Sequence, residues 1–345
     1  MFLITGANAG IGLETAASLA THHTVMLAGR RPAAVADAVA ELKRRPGVDS
    51  ARVLAAPAPL DLASPASVSA FATALAADLA AKGQRLAVLV NNAGIADAEK
   101  QSNCSSSAPT WPVADAVMAV NAVGTHALTR LLLPLLLETA ASARLPARVV
   151  TLSSRAHTSA PALDPAAALS PGAGASSSSP SSLLSPSARY ARSKLANALF
   201  ASELARRVNK GGAPPLQISV AVSPGFVRTA LAADFASSLP IPAWAARFLT
   251  AALAQSPAKG ARTSAWAATA DPAAVCPPPG RGSDGSGTQS LLPPGYCYAH
   301  GARPAPAQLS PQARDAALAA ALFEATEGVV AGAGVVLPPL GEGGY

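Results

Sequence analysis

Aromatic residues make up 4% of this 345-residue chain and charged residues 13%, with three cysteines and five histidines. Each shortage removes a class of answer. Cys104, Cys276 and Cys297 give an odd count with no C-x-x-C pair, so neither a disulfide framework nor a cysteine zinc site is indicated, and reduced thiols are expected. His22, His23, His126, His157 and His300 show no ligand spacing, so no metal is expected and no role is assigned to them. The longest apolar run, Leu131 to Leu137, is interrupted by Pro134 and falls well short of the roughly 20 residues of a membrane-spanning helix. No targeting segment is read at the start either, because Met1-Phe2-Leu3-Ile4-Thr5-Gly6 runs straight into what reads as a core strand. The expectation is a soluble protein with a cytoplasmic address, an organelle stroma or peripheral membrane association being the alternatives.

Basic residues outnumber acidic ones, 26 to 19, for a net charge of +7, but they are scattered singly or in pairs. A small anionic ligand explains clustered arginines better than nucleic acid, which is not expected as a partner. Mean hydropathy is +0.30, much of it from Ala, Pro and Gly, whose abundance reads as base-composition bias of the gene.

Short apolar runs alternate with stretches of helical length. Phe2 to Thr5, Thr24 to Ala28, Arg52 to Ala56, Leu86 to Val90, Ala147 to Leu152 and Gln217 to Val222 read as strands, with Gly295 to Tyr298 as a last one. They are apolar without alternation, as strands buried on both faces must be, so the expected fold is α/β: a doubly wound parallel sheet of Rossmann type. One domain, 1–345, is expected, with flexible surface insertions at 98–109, 160–187 and 271–294, where Ser, Pro and Gly dominate. A closing helix is predicted over Pro311 to Thr326, with Ser310 as its N-cap.

The first strand leads into Thr5-Gly6-Ala7-Asn8-Ala9-Gly10-Ile11-Gly12 and then a helix. Gly6 permits a tight turn, Gly10 lets backbone approach a pyrophosphate, and Gly12 allows helix and strand to pack closely, while the helix N-terminus favours the anion. Gly29-Arg30-Arg31 ends the second strand, where a carboxylate would meet a ribose hydroxyl; two guanidiniums there suit a 2′-phosphate, so NADP(H) is favoured over NAD(H). Asp61-Leu62 and Asn92-Ala93-Gly94 close the third and fourth strands, at the sheet edge where ligands lie. Further on stand Asn121 in a helical stretch, Ser153-Ser154 at a strand end, and Tyr190-Ala191-Arg192-Ser193-Lys194. Tyr190 and Lys194, four apart, share a helix face, and an ammonium near a phenol is expected to lower the phenol's pKa toward neutrality, suiting it to proton transfer.

These motifs together resemble the short-chain dehydrogenase/reductase superfamily over nearly the whole chain. Gly29-Arg30, Val120-Asn121, Ser153 to His157, Ser193 to Asn197 and Gly260 to Thr263 are similar to its retinol-dehydrogenase-like branch, which includes the oxidoreductase part of the WW-domain oxidoreductases. The resemblance implies reversible carbonyl–alcohol conversion without metal. Tyr190 would be the general acid/base, Lys194 would orient the nicotinamide ribose, Ser154 (or its neighbour Ser153) would bond the substrate oxygen, and Asn121 would hold a helix kink and a relay water. It also implies that Gly6, Asn8, Ala9, Gly10, Ile11 and Gly12 line the cofactor turn, that Asp61 and Leu62 meet the adenine, and that Pro224, Gly225 and Thr229 bound the carboxamide. Three departures stand out: Ala9 where the family often has Ser or Thr, a long Ser154-to-Tyr190 interval, and no membrane-anchoring extension ahead of the first strand. The stretch Leu231 to Leu253 is read as an apolar lid over a lipophilic substrate such as a retinoid, steroid or long-chain aldehyde, or equally as packed helix. A homo-oligomer is left open. Rival readings are a catalytically idle NADP(H)-binding sensor or scaffold and a light-dependent reductase like protochlorophyllide reductase.

Overall fold

In the computed structural model of the chain, residues 1–96, 110–143, 146–171, 184–209, 217–227, 254–276, 298–305 and 308–340 are described. The chain opens with β1 (Phe2–Thr5), α1 (Gly10–Leu19), β2 (Val25–Ala28), α2 (Pro32–Lys43), β3 (Val53–Ala55), α3 (Pro65–Ala81) and β4 (Val88–Asn91). Next, α4 (Ala116–Met118), a π-helical segment (Ala119–Gly124) and α5 (Thr125–Ala143) run on without a break. Then come β5 (Ala147–Leu152), a 3-10 turn (Arg155–Ser159), α6 (Pro165–Ala168), α7 (Pro186–Val208), β6 (Gln217–Ser223), α8 (Pro257–Thr269), α9 (Pro272–Val275) and β7 (Tyr298–His300). A 3-10 turn (Gln312–Arg314) and α10 (Ala316–Gly332) finish the described fold.

The seven strands form one parallel sheet in the order β3-β2-β1-β4-β5-β6-β7. Because side chains alternate along a strand, Leu3 and Ile4 of β1 enter opposite layers. Leu3, Met26 and Leu89 pack with Phe71 and Leu75 of α3, Leu128 and Leu132 of α5, Leu195 and Leu199 of α7 and Phe323 of α10. Ile4, Leu27, Val90 and Val220 pack with Leu13 of α1, Leu42 of α2 and Ala268 of α8. The doubly wound α/β expectation holds. Strand order reverses between β1 and β4, and the carboxyl ends there, where a doubly wound sheet places its ligand, are where Gly6 and Asn92 meet.

Several boundaries differ from expectation. The closing helix starts later and runs further: Asp315 caps it through Leu318 N–H at 2.9 Å, while Ser310 caps only the preceding 3-10 turn through Ala313 N–H. Part of the segment read as a flexible insertion is built into the core, since Leu163, Ala168 and Leu169 are buried and Ser185 caps α7. Likewise Pro272–Val275 is helical with Val275 buried. The remainder of both segments, and the whole of 98–109, lie outside the described residues. Cys276 is disulfide-bonded, which overturns the expectation of three reduced thiols; its partner lies outside the described residues. Pro134 does not end its helix, and Ala116–Ser142 is long and apolar enough to cross a membrane by length and composition. Most of that window (72%) is buried inside the fold, as befits a core helix.

Candidate active site

The glycine turn is shaped by two close approaches. Gly6 has φ +62°, and a β-carbon there would lie 2.8 Å from Ala93 Cα. One at Gly12 would collide with Asn92 Nδ2 and lie 2.6 Å from the Gly6 carbonyl. Asn92 is the clasp: Nδ2 donates to the carbonyls of Thr5 (2.8 Å) and Gly6 (3.1 Å), and its N–H donates to Thr5 Oγ1 (3.1 Å). Thr5 Oγ1 also accepts from Ala93 N–H at 3.0 Å. The ends of β1 and β4 are thereby sewn together before any ligand is considered. Gly10 (φ +59°) begins α1, and Ala9, the cap residue, provides no side-chain acceptor. The first-turn N–H groups therefore have no side-chain cap, which suits an anion.

Around this turn, Asn8 Oδ1 approaches Gly29, and Leu60 N–H donates to the Gly29 carbonyl at 3.0 Å. Arg30 and Arg31 are exposed, and neither has an ion-pair partner among the described residues. Asp61 holds its own turn, Oδ1 accepting from Ala63 N–H at 2.9 Å. The Leu62 carbonyl accepts from Trp111 Nε1–H at 2.7 Å and leaves no room for a β-carbon at Gly124. These groups fit a dinucleotide: a β-carbon at Gly6 or Gly12 would fill the cradle, an uncapped helix end faces it, and unpaired guanidiniums stand at the end of β2.

The second half of the site is carried by the π-helical segment, β5 and α7. Asn121 is fully buried; Oδ1 accepts from Ile95 N–H (2.8 Å), and Nδ2 donates to the Ile95 carbonyl (2.8 Å) and Ser193 Oγ (3.0 Å). Ser193 Oγ donates in turn to the Tyr190 carbonyl at 2.8 Å. Asn121 sits inside the π turn Ala119–Gly124. Ser153 and Ser154 part company. The buried Ser153 hydroxyl donates to the Lys194 carbonyl at 2.7 Å, whereas part-buried Ser154 faces the Tyr190 hydroxyl and accepts from Ala156 N–H at 3.2 Å.

Lys194 Nζ donates to the Leu152 carbonyl at 3.0 Å and stands 5.6 Å from the centre of the Tyr190 ring. The same carbonyl accepts from Asn197 Nδ2 at 3.1 Å, so Asn197 is a support that spacing alone did not single out. The expected lowering of the Tyr190 pKa does not hold. Burial pushes the phenol up to about 12, with the Ser154 hydroxyl pulling the other way, and burial brings the Lys194 ammonium down to about 8. The physical reason is desolvation: it disfavours both charged forms, and the ammonium is directed at a carbonyl rather than at the phenol oxygen. The two halves meet at Gly94, where a β-carbon would lie 3.0 Å from Asn121 Oδ1 and 3.4 Å from Lys194 Nζ.

Pro224 and Gly225 (φ +82°) follow β6, and Gln255 Nε2 donates to the Pro224 carbonyl. Thr229 and Leu231 to Leu253 lie outside the described residues.

The model of the short chain dehydrogenase family matches residues 1–166. The short-chain dehydrogenase/reductase pkfC of Emericella nidulans is 32% identical over 236 residues, covering 68% of this chain and 69% of that protein. The chain belongs to the short-chain dehydrogenase family. The short-chain dehydrogenase/reductase dpchH of Colletotrichum higginsianum is 36% identical over 236 residues, 67% of this chain, which spans just over half (55%) of that relative's length. Retinol dehydrogenase 12 of Homo sapiens is 33% identical over 233 residues, 66% of this chain and 62% of that one, in keeping with the branch resemblance. Among solved structures, an uncharacterised protein from Mycobacterium Paratuberculosis aligns over 98% of this chain and 94% of its own, with TM-score 0.63 and 28% identity. The actinorhodin polyketide ketoreductase with NADPH shares the fold at 21% identity and TM-score 0.54, over 78% of this chain and 89% of its own.

Proposed function

We propose that this short-chain dehydrogenase is an NADP(H)-dependent oxidoreductase interconverting a carbonyl and an alcohol on a lipophilic small molecule. The observation that carries the reading is the convergence at Gly94, where the cofactor-turn side of the crevice meets Asn121 and Lys194. Gly6, Asn8, Ala9, Gly10, Ile11 and Gly12 would hold the pyrophosphate, Arg30 and Arg31 the 2′-phosphate, and Asp61 and Leu62 the adenine end. Asn92, Ala93 and Gly94, with Pro224, Gly225 and Thr229, would border the nicotinamide. When bound, the nicotinamide supplies or accepts the hydride.

The chain's own residues handle the proton. Tyr190 is a neutral phenol well above pH 7, so it is present as the acid that reduction needs. Ser154, whose hydroxyl faces Tyr190 where that of Ser153 is tied to the Lys194 carbonyl, would bond the substrate oxygen beside Tyr190. Lys194 would bind the ribose, held in place by the Leu152 carbonyl, and Asn121 would anchor the kink behind both. A lipophilic substrate is supported by Phe226, 46% exposed beside Gly225, and by the retinol and polyprenol dehydrogenases among the relatives. The reading leaves self-association open.

Titrating purified protein with NADPH and NADH, and following NADPH oxidation with all-trans-retinal and decanal, tests this. Wild type binds NADPH more tightly than NADH. Tyr190→Phe keeps that binding and loses turnover by about 10³-fold, within the usual range for a general acid; undiminished turnover, or equal affinity for the two nucleotides, sinks the respective assignment.

A further inference from the structure

One buried titratable side chain abuts this site without a part in the reading above. His157 lies in the 3-10 turn just after Ser154 and is fully buried. Its Nε2 accepts the Ser310 N–H at 3.2 Å. A backbone N–H cannot accept, so Nε2 carries the lone pair and the ring proton sits on Nδ1. Nδ1–H then donates to the Ser154 carbonyl at 2.6 Å. Burial lowers the imidazole pKa, against the opposing pull of the Ser154 carbonyl, in keeping with a neutral ring. The ring also meets Tyr298 edge-on, centroids 5.4 Å apart.

A second tie runs beside the first. Gln312 Oε1 accepts from Leu163 N–H at 3.0 Å, and its Nε2 donates to the Ala160 carbonyl at 3.3 Å. Both ties join the turn after Ser154 to residues 310–312, far along the chain and beyond the 1–166 stretch that matches the family model. Ser154 itself has extended backbone (φ −157°, ψ 155°). The Ser154 carbonyl, which the His157 backbone N–H also bonds at 3.0 Å, fixes the turn whose Ala156 N–H reaches the Ser154 hydroxyl at 3.2 Å, and that carbonyl is the atom the His157 ring holds.

We propose that His157 is a positioning residue that sets the Ser154 hydroxyl by holding the Ser154 carbonyl, and is itself set by the Ser310–Gln312 segment. The proposal rests on Ser154 being the group that bonds the substrate oxygen. Two substitutions separate the two ring nitrogens. His157→Asn places an amide N–H near Nδ1 and gives up the Nε2 acceptor; His157→Gln places an amide oxygen near Nε2 and gives up the Nδ1 donor.

With NADPH and all-trans-retinal or decanal, His157→Asn keeps kcat within about threefold. His157→Gln lowers it about 10- to 100-fold with the NADPH KM unchanged, the size expected when a reacting geometry slips by about 1 Å. Both lower Tm, so a histidine that only stabilised the fold would show losses tracking Tm in both variants; that pattern, or wild-type kcat in His157→Gln, overturns the proposal. Ser154→Ala is the control: if it retains kcat, the Ser154 reading fails, whereas an inactive Ser154→Ala beside a fully active His157→Gln fails the positioning role alone. Should the variants not fold, ¹⁵N NMR of the wild-type imidazole decides. The Nδ1-protonated tautomer is expected from pH 6 to 9, and an Nε2–H tautomer or an imidazolium overturns the arrangement.

Discussion

Two regions packed against α7 bury ionisable groups with opposite results. In the crevice, burial moves Lys194 and Tyr190 toward their neutral forms, to about 8 and about 12. At the other, α10 brings Glu327 to His126 Nε2 (2.6 Å) and Arg130 Nε (2.7 Å). There burial alone would raise the carboxyl, but the hydrogen bonds from His126 and Arg130 bring it down to about 2, so it stays charged. His126, wedged against Phe200 and Phe323, has its pKa lowered by burial in spite of Glu327. Buried charge with a matched partner fastens the C-terminal helix; a buried ammonium bonded to a carbonyl sits where chemistry is proposed. The difference teaches that stability and reactivity have been assigned to different ends of the same helix packing.

The comparison breaks most visibly at Glu327. Glu327→Gln leaves the Arg130 guanidinium buried without its carboxylate, and unfolding titrations should show a loss of about 3 kcal/mol with nucleotide affinity intact. Because the folded carboxyl lies below its ordinary 4.5, the wild-type contribution is fully present above that value and is lost as pH falls through about 2; the variant lacks this acid-limb dependence. Next in size is Gly12→Val, which must displace the Asn92 amide or the Gly6 carbonyl. Nucleotide fluorescence titration should show affinity down about 100-fold, roughly 2.7 kcal/mol. The smallest effect sharpens the contrast from the crevice side. Lys194→Met abolishes turnover yet raises stability of the nucleotide-free protein at pH 7 by about 1 kcal/mol. The sign follows from the folded ammonium lying below its ordinary 10.5: the folded chain holds fewer protons between about 8 and 10.5, so wild-type stability climbs with pH there and the variant's advantage shrinks. A Lys194→Met protein less stable than wild type at pH 7 would remove the contrast.

How much was readable beforehand follows the same divide. The strands, the glycine turn and Asn92 depend on local pattern and on backbone contacts between neighbouring strand ends, and period and spacing expose those. Tyr190 and Lys194 were placed on one face by helix geometry, but the direction of the phenol's shift was not, because desolvation depends on everything packed around it. His157 looked roleless, since its partners are the Ser154 carbonyl nearby and a backbone N–H at Ser310 that no motif announces. The closing helix began at Asp315 rather than Ser310 because two capping residues stood five apart and a 3-10 turn used the first. Leu163 and Leu169, in a Ser- and Pro-rich stretch, reach the core despite a composition that argued for solvent.

The π turn at Ala119–Gly124 has a consequence for how this helix could change. An inserted residue turns whatever follows by about 100° around the axis. A π turn takes up such an extra residue locally, so Asn121 keeps its bonds to Ile95 and Ser193 while the Thr125–Ala143 stripe stays against the sheet. In a uniform α-helix the same extra residue would turn one of the two away, so it is the widened turn that lets Asn121 and Thr129, the partner of Asn91, both face inward.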